Sequence, residues 1–194
     1  MGGLIIFIKN IEKGKVKTRL AATVGDDRAL EIYKTLLAHT RKVTTAVDAE
    51  RFLFYSSFIE KKDEWSEDFF IKKIQRGDDL GARMVNAFSE VLKKQDKVVI
   101  IGSDCISLTP KILQMAFEKL DEVPFVIGPT FDGGYYLLGM NRLETSLFEN
   151  MEWSTASVFP TTIQRIEALG EKYFSLPQLS DIDYEEDWVK YGKG

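Results

Sequence analysis

The chain has 194 residues, 44% of them hydrophobic and 29% charged, with a formal net charge of −4. That length can bury a core without disulfide or metal staples, and the composition excludes a disordered segment. The acidic balance argues against nonspecific nucleic-acid binding, which needs a basic surface to displace counterions from phosphates.

Cys105 is the single cysteine. It leaves no internal disulfide and no CxxC pair for zinc, which fits a reducing, cytoplasmic setting. The apolar run Leu4–Ile8 is too short for a signal peptide and Lys9 ends it at once. No stretch reaches membrane-spanning length, and Ile6 stands where a myristoylation motif needs Ser or Thr. No membrane partner is expected.

Gly3–Ile8 is continuously apolar, which predicts a central strand covered on both faces. A basic loop follows, Lys9 to Arg19. Asp26 or Asp27 then caps a helix whose Leu30, Tyr33, Leu37 and Val43 follow helical spacing. Arg51–Tyr55 and Phe69–Ile74 are strand candidates. Asp78 or Asp79 precedes a helix carrying Leu80, Met84, Ala87, Phe88 and Leu92 on one face. Val98–Ile101 is a further buried strand, ending at Gly102-Ser103-Asp104. Thr109 and Pro110 open the next helix as N-cap and first helical residue. Phe125–Ile127 and Tyr135–Leu138 read as strands around an Asp132-Gly133-Gly134 turn. Thr155–Leu169 reads as a helix interrupted near Pro160, and Tyr184–Tyr191 as a short acidic helix. Alternating strands and helices predict an α/β fold with a mostly parallel sheet. No linker or repeat divides it, so residues 1–194 are expected to form one domain.

In such a sheet, ligands bind at the carboxyl ends of the strands. After the first strand, Lys9, Lys13, Lys15, Lys17 and Arg19 share one loop with Gly14. Glycine permits close backbone approach and the cations can bond phosphate oxygens, although the spacing is not that of a Walker A motif. After Val98–Ile101 stands Asp104, a hard carboxylate suited to Mg²⁺ or Mn²⁺; a lone aspartate there also serves as a capping residue. Gln75 to Met84 contains Asp79 and Arg83 at a helix start that can bind an anion or simply be capped. Asp132-Gly133-Gly134-Tyr135-Tyr136 offers a tight turn and stacking faces, and equally a hairpin with core aromatics. Asp181 and Asp183 alternate onto one side of an extended segment. Cys105 reads as a small buried hydrophobe and His39 as structural, which makes Cys-His or Ser-His-Asp catalysis improbable.

Taken in order, Phe7-Ile8-Lys9-Asn10, Gly14-Lys15-Val16-Lys17-Thr18-Arg19-Leu20, Asp79-Leu80-Gly81-Ala82-Arg83-Met84, Ile101-Gly102-Ser103-Asp104-Cys105, Gly128-Pro129, Asp132 to Gly139, Trp153-Ser154-Thr155 and Asp181-Ile182-Asp183 with Asp187 cover nearly the whole chain. They resemble the bacterial family of GT-A-type glycosyltransferases associated with radical-SAM proteins and arsenosugar biosynthesis. That family belongs to the nucleotide-diphospho-sugar transferase superfamily. The resemblance implies a Rossmann-like three-layer α/β/α sandwich. It implies that Lys9, Gly14, Lys15, Lys17, Thr18, Arg19, Asp79 and Arg83 face the nucleotide. Asp104 and Asp183 would hold Mg²⁺ or Mn²⁺, and Asp132 would act as base or acceptor-orienting carboxylate. Gly133, Gly134, Tyr135 and Trp153 would form the sugar or acceptor pocket. The chain departs from the family at Ile11 and Ile106, where proline is usual, and has one carboxylate in Gly102-Ser103-Asp104 instead of two. The implied reaction is sugar transfer from a nucleotide-diphosphate-sugar donor to a small-molecule acceptor. Nucleotidyl transfer with release of pyrophosphate is the alternative on the same fold, and a non-catalytic nucleotide-binding protein is the alternative of another class.

Overall fold

The computed structural model describes residues 2–192. Strands β1 (Gly2–Ile8), β2 (Ala49–Tyr55), β3 (Ile71–Ile74), β4 (Val98–Ile101), β5 (Phe125–Pro129), β6 (Tyr135–Met140) and β7 (Tyr173–Ser175) form one sheet in the order β3-β2-β1-β4-β6-β5-β7. Among the described residues, β6 alone runs antiparallel to its neighbours. Helices α1 (Thr18–Val24), α2 (Asp26–Thr45), α3 (Leu80–Val91), α4 (Pro110–Lys119), α5 (Val158–Ala168) and α6 (Glu185–Tyr191) complete the chain.

Strand β1 shows how the layers arise. Leu4, Ile6 and Ile8 enter the core shared with Tyr33 and Leu37 of α2 and Leu113 and Phe117 of α4. Ile5, on the other face, joins Met84, Phe88 and Val91 of α3 and Ile166 of α5. The unbroken apolar run is therefore the signature of burial on both faces. Each such side chain contributes roughly 1.5–3 kcal/mol on burial. The result is the expected three-layer α/β/α sandwich.

Several elements differ from the sequence expectation. The basic loop gives way to α1 at Thr18, because Leu20 is fully buried against Ala29, Ile32 and Leu36 of α2. Strand β3 begins at Ile71, two residues later than the apolar run suggested, since Phe69 N and Phe70 N donate to Ser66 O and close a turn there. Helix α5 begins at Val158, and Pro160 lies in its first turn, where a missing N–H costs no helical bond. The three-residue β7 carries too little periodicity to be seen in advance and exists through its parallel pairing with β5.

The loop between β2 and β3 has no regular structure but is firmly tied. The buried Asn10 carboxamide accepts from Ser57 N at 3.0 Å and donates to Phe58 O at 2.8 Å. Asp63 accepts from Tyr55 Oη at 2.5 Å and from Lys72 Nζ at 2.8 Å. This loop and α2 wall a cavity of about 580 Å³.

The chain leaves β1 toward β2 on one side and returns to β4 on the other. The gap at the carboxyl ends of β1 and β4 is a topological switch point, where an open α/β sheet leaves a crevice.

Candidate active site

A cleft of about 540 Å³ opens at that switch point. Three stretches of chain build it. Lys17, Thr18 and Arg19 come from the entry to α1, Ser103 and Asp104 follow β4, and Asp181 and Asp183 come from the segment before α6. Ile182 explains how the last stretch arrives. Its side chain is fully buried with Leu20 and Ile32, and its backbone N–H donates to Asp104 O at 2.9 Å. The aspartates on either side of it are thereby held at the cleft.

Lys17 stands at the centre. Its Nζ lies 2.6 Å from Asp104 Oδ1 and 3.4 Å from Asp183 Oδ1, and donates to Ile182 O at 2.7 Å. Its side chain is 5% exposed. Burial lowers its proton affinity, but Asp104 and Asp183 outweigh that and hold it above the ordinary lysine range. Arg19 Nη1 reaches Asp183 Oδ2 at 3.5 Å. Asp181, half-buried, is pushed up to about 8, first by burial and then by Asp104, with Lys17 offsetting part of the effect. A carboxyl so perturbed by burial and charge in a cleft makes the position a functional-site candidate.

The rear of the cleft is firm. Tyr33 Oη donates to Lys9 O and accepts from Lys9 N, both at 2.9 Å, and so fixes the exit of β1. Gln75 Nε2 donates to Ile8 O at 3.1 Å and Phe54 O at 3.0 Å. Leu80, Met84 and Tyr135 give one wall an apolar and aromatic character.

Of the residues singled out by sequence, the cleft gathers Lys9, Lys17, Thr18, Arg19, Asp104, Tyr135 and Asp183. The others lie outside its lining. Gly14 turns the loop at φ 76°, and Lys15 pairs with Glu12 at the surface. Asp79 caps α3 by accepting from Ala82 N at 2.7 Å, and Arg83 Nε donates to Gly77 O at 3.1 Å. Asp132 is exposed and accepts from Thr130 Oγ1 and Gly134 N within its own turn. It is still near enough to help raise Asp181. Gly133 packs on Ala156, where a side chain would overlap backbone. Trp153 packs against Gly81, and among the described residues its Nε1 is a buried donor without a partner. Ser103, Gln75, Tyr33 and Met84 enter the cleft without having been proposed as site residues, and Asp181 joins it from a segment singled out for its alternating carboxylates. Ser103, Gln75 and Met84 lie in segments the sequence marked, without being marked themselves; Tyr33 was visible only as an apolar helix position.

Among the described residues, no group of three or more His, Cys, Asp or Glu side chains converges to hold a metal. Asp104 and Asp183 are nonetheless hard oxygen donors that share the Lys17 ammonium, with Arg19 also reaching Asp183. Their chemistry suits Mg²⁺ or Mn²⁺. No helix described is long and apolar enough to cross a membrane.

The fold recurs in solved structures. A protein from Desulfovibrio desulfuricans G20, provisionally named a nucleotide-diphospho-sugar transferase, is 29% identical, with a TM-score of 0.87 over 95% of this chain and 84% of its own. Rv0371c from Mycobacterium tuberculosis H37Rv, in a complex with manganese, is 11% identical, with a TM-score of 0.60 over the full length of both chains. The inositol-1-phosphate CTP transferase of T. maritima is 15% identical, with a TM-score of 0.56 over 96% of this chain and 91% of its own. No curated protein matches the chain in sequence. A family model covers residues 37–155, more than half of the 194, and the chain belongs to the family it describes, "Uncharacterized protein conserved in bacteria (DUF2064)".

Proposed function

We propose that the chain is a metal-dependent nucleotide-diphospho-sugar transferase that moves a sugar to a small-molecule acceptor, as the narrower motif resemblance implies. The observation that supports this most is the meeting of Lys17, Arg19, Asp104, Asp181 and Asp183 in one cleft at the switch point of the sheet. The similarity to the Desulfovibrio protein over 95% of this chain points the same way.

In this reading Lys9, Lys17 and Arg19 bind the donor's diphosphate, with the Thr18 hydroxyl as a further donor. A divalent metal held by Asp104 and Asp183 would neutralise charge building on the leaving diphosphate. Tyr135, Leu80 and Met84 offer apolar surface to the base or sugar. Asp181, protonated near neutrality, can give or accept a proton within the cleft, and Asp132, just outside the lining, would orient an acceptor. Nucleotidyl transfer is the second reading, favoured by the shared fold with a named CTP transferase. There the α-phosphate is attacked in place of the anomeric carbon.

A thermal-shift panel tests both. UDP-, GDP-, CDP- and TDP-sugars and the matching triphosphates are each offered with Mn²⁺, Mg²⁺ or EDTA. The expected outcome is a metal-dependent rise in melting temperature with one diphosphate-sugar, lost in Asp104→Asn while the unliganded melt stays cooperative. A shift with a triphosphate alone, and pyrophosphate rather than a nucleoside diphosphate among the products, would move the assignment to nucleotidyl transfer. Binding without turnover or metal effect would make the chain a non-catalytic nucleotide-binding protein.

A further inference from the structure

We infer that Lys17 is a built-in counter-cation that holds the cation position between Asp104 and Asp183 in the ligand-free protein, and yields it to a divalent metal only when nucleotide phosphates arrive to take over its charge. This rests on the reading that a metal–nucleotide complex binds the cleft.

Three observations carry it. First, the ammonium is saturated. A lysine head has three N–H donors, and Lys17 has three acceptors, Asp104 Oδ1 at 2.6 Å, Ile182 O at 2.7 Å and Asp183 Oδ1 at 3.4 Å. The lysine occupies the very point the two carboxylates share, so a metal and this ammonium cannot both sit there. Second, the side chain is 5% exposed, unusual for lysine unless it is paired. A metal arriving alone would strand that charge away from its partners. Third, the backbone is shaped for the contact. Lys17 sits at φ 49°, ψ 44°, a left-handed conformation few non-glycine residues adopt, at the point where the chain enters α1 beside the two carboxylates.

The release route is also visible. Thr18 and Arg19, the next two residues, line the same cleft, and Arg19 already reaches toward Asp183. Phosphates bound there lie within reach of a displaced Lys17. The exchange couples the two ligands, each raising the affinity for the other by the same factor. Phosphate oxygens that touch a metal couple the two ligands in any such site; what the exchange adds is that removing the Lys17 charge raises the affinity for the metal alone.

The test is Mn²⁺ titration of the full chain, read by the paramagnetic resonance signal of free aqueous Mn²⁺. It is run with Mn²⁺ alone and with UDP, GDP, CDP or TDP present, each against the same mixture without protein to subtract the Mn²⁺ the nucleotide itself binds, on wild type, Lys17→Met and Lys17→Gln. Wild type is expected to bind Mn²⁺ at least about tenfold more tightly with its preferred diphosphate than without. Both variants are expected to bind Mn²⁺ alone at least about tenfold more tightly than wild type, and to lose most of the nucleotide dependence. If wild type shows nucleotide-dependent Mn²⁺ binding but neither variant gains affinity for Mn²⁺ alone, the inference is overturned and the metal–nucleotide reading stands. If no chain binds Mn²⁺ under any condition, both fall. Should neither variant melt cooperatively, acetylation of wild type by acetic anhydride, read by mass spectrometry, decides. Lys17 should be protected relative to Lys15 in the free protein, stay protected with Mn²⁺ alone, and change its reactivity when Mn²⁺ and a diphosphate are present together. Equal reactivity with Mn²⁺ alone and with Mn²⁺ plus diphosphate overturns the inference.

Discussion

Asp181 and Cys105 share one environment and respond to it in the same direction. Burial pushes the Cys105 thiol up to about 12, with the Asp181 charge adding to it, so the thiol stays protonated and inert. This agrees with its reading as a small hydrophobe, and His39, bonded to Leu108 O at 2.8 Å, is likewise structural. For Asp181 the rise from 3.8 to about 8 has a consequence for stability. The folded protein binds this proton more tightly than the unfolded chain does. Its contribution is fully present below about pH 4 and is lost as pH rises to about 8. Asp181→Asn should therefore melt close to wild type near pH 4 and increasingly above it toward pH 8, by at least a few degrees, with no further gain at higher pH. Parallel melting curves across that range would show that Asp181 ionises normally. The motif segments made Asp104 and Asp183 legible. Lys17 was legible only as one cation among several, because nothing in the spacing of a loop tells which lysine will be buried.

At the scale of elements, the turn between β5 and β6 illustrates a motif whose residues were visible and whose packing was not. Asp132, Gly133 and Gly134 were expected at a substrate pocket. In the fold, Asp132 fastens the turn through Thr130 and Gly134, and Gly133 O accepts from Phe159 N at 2.8 Å at the start of α5. Gly133 has φ 90°, and a Cβ there would overlap Ala156 backbone. Gly133→Ala should cost about 1–3 kcal/mol, which for a chain of this size lowers the melting temperature by roughly 2–4 °C per kcal/mol. An unchanged melting temperature would mean that the turn and α5 are not rigidly docked. The same sequence, an aspartate followed by two glycines, suits either a ligand-facing turn or a docking turn. The difference lies in what packs against it.

Over the whole molecule, the site is completed by residues more than 160 positions apart, with Lys17 and Asp183 in contact. Ile182 is the hinge pin of that closure, fully buried against α1 and α2. Ile182→Ala removes no functional group from the cleft. It should nevertheless cost about 2–5 kcal/mol of stability and loosen the hold on Asp181 and Asp183. The expected readout is a lower melting temperature together with weaker metal-dependent nucleotide binding, followed by Mn²⁺ titration with and without diphosphate. Loss of stability with unchanged binding would show that the late segment keeps its place without this anchor.

What the amino-acid sequence by itself determined was the layering. Runs apolar on consecutive residues become strands covered on both faces, helical spacing supplies the covers, and caps such as Thr109 and Asp79 mark where helices begin. These are local consequences of period and backbone chemistry, and they survive without knowledge of the fold. The order of the strands and the reversed β6 are non-local, because pairing partners depend on which apolar faces meet after collapse. Tertiary structure alone decided which cations and carboxylates of the chain share one desolvated cleft. The energy of a charge depends on its neighbours and on the water left around it, and neither is written in spacing. Lys15 and Lys17 stand two residues apart in the same loop, yet one is solvated beside Glu12 and the other is buried between Asp104 and Asp183.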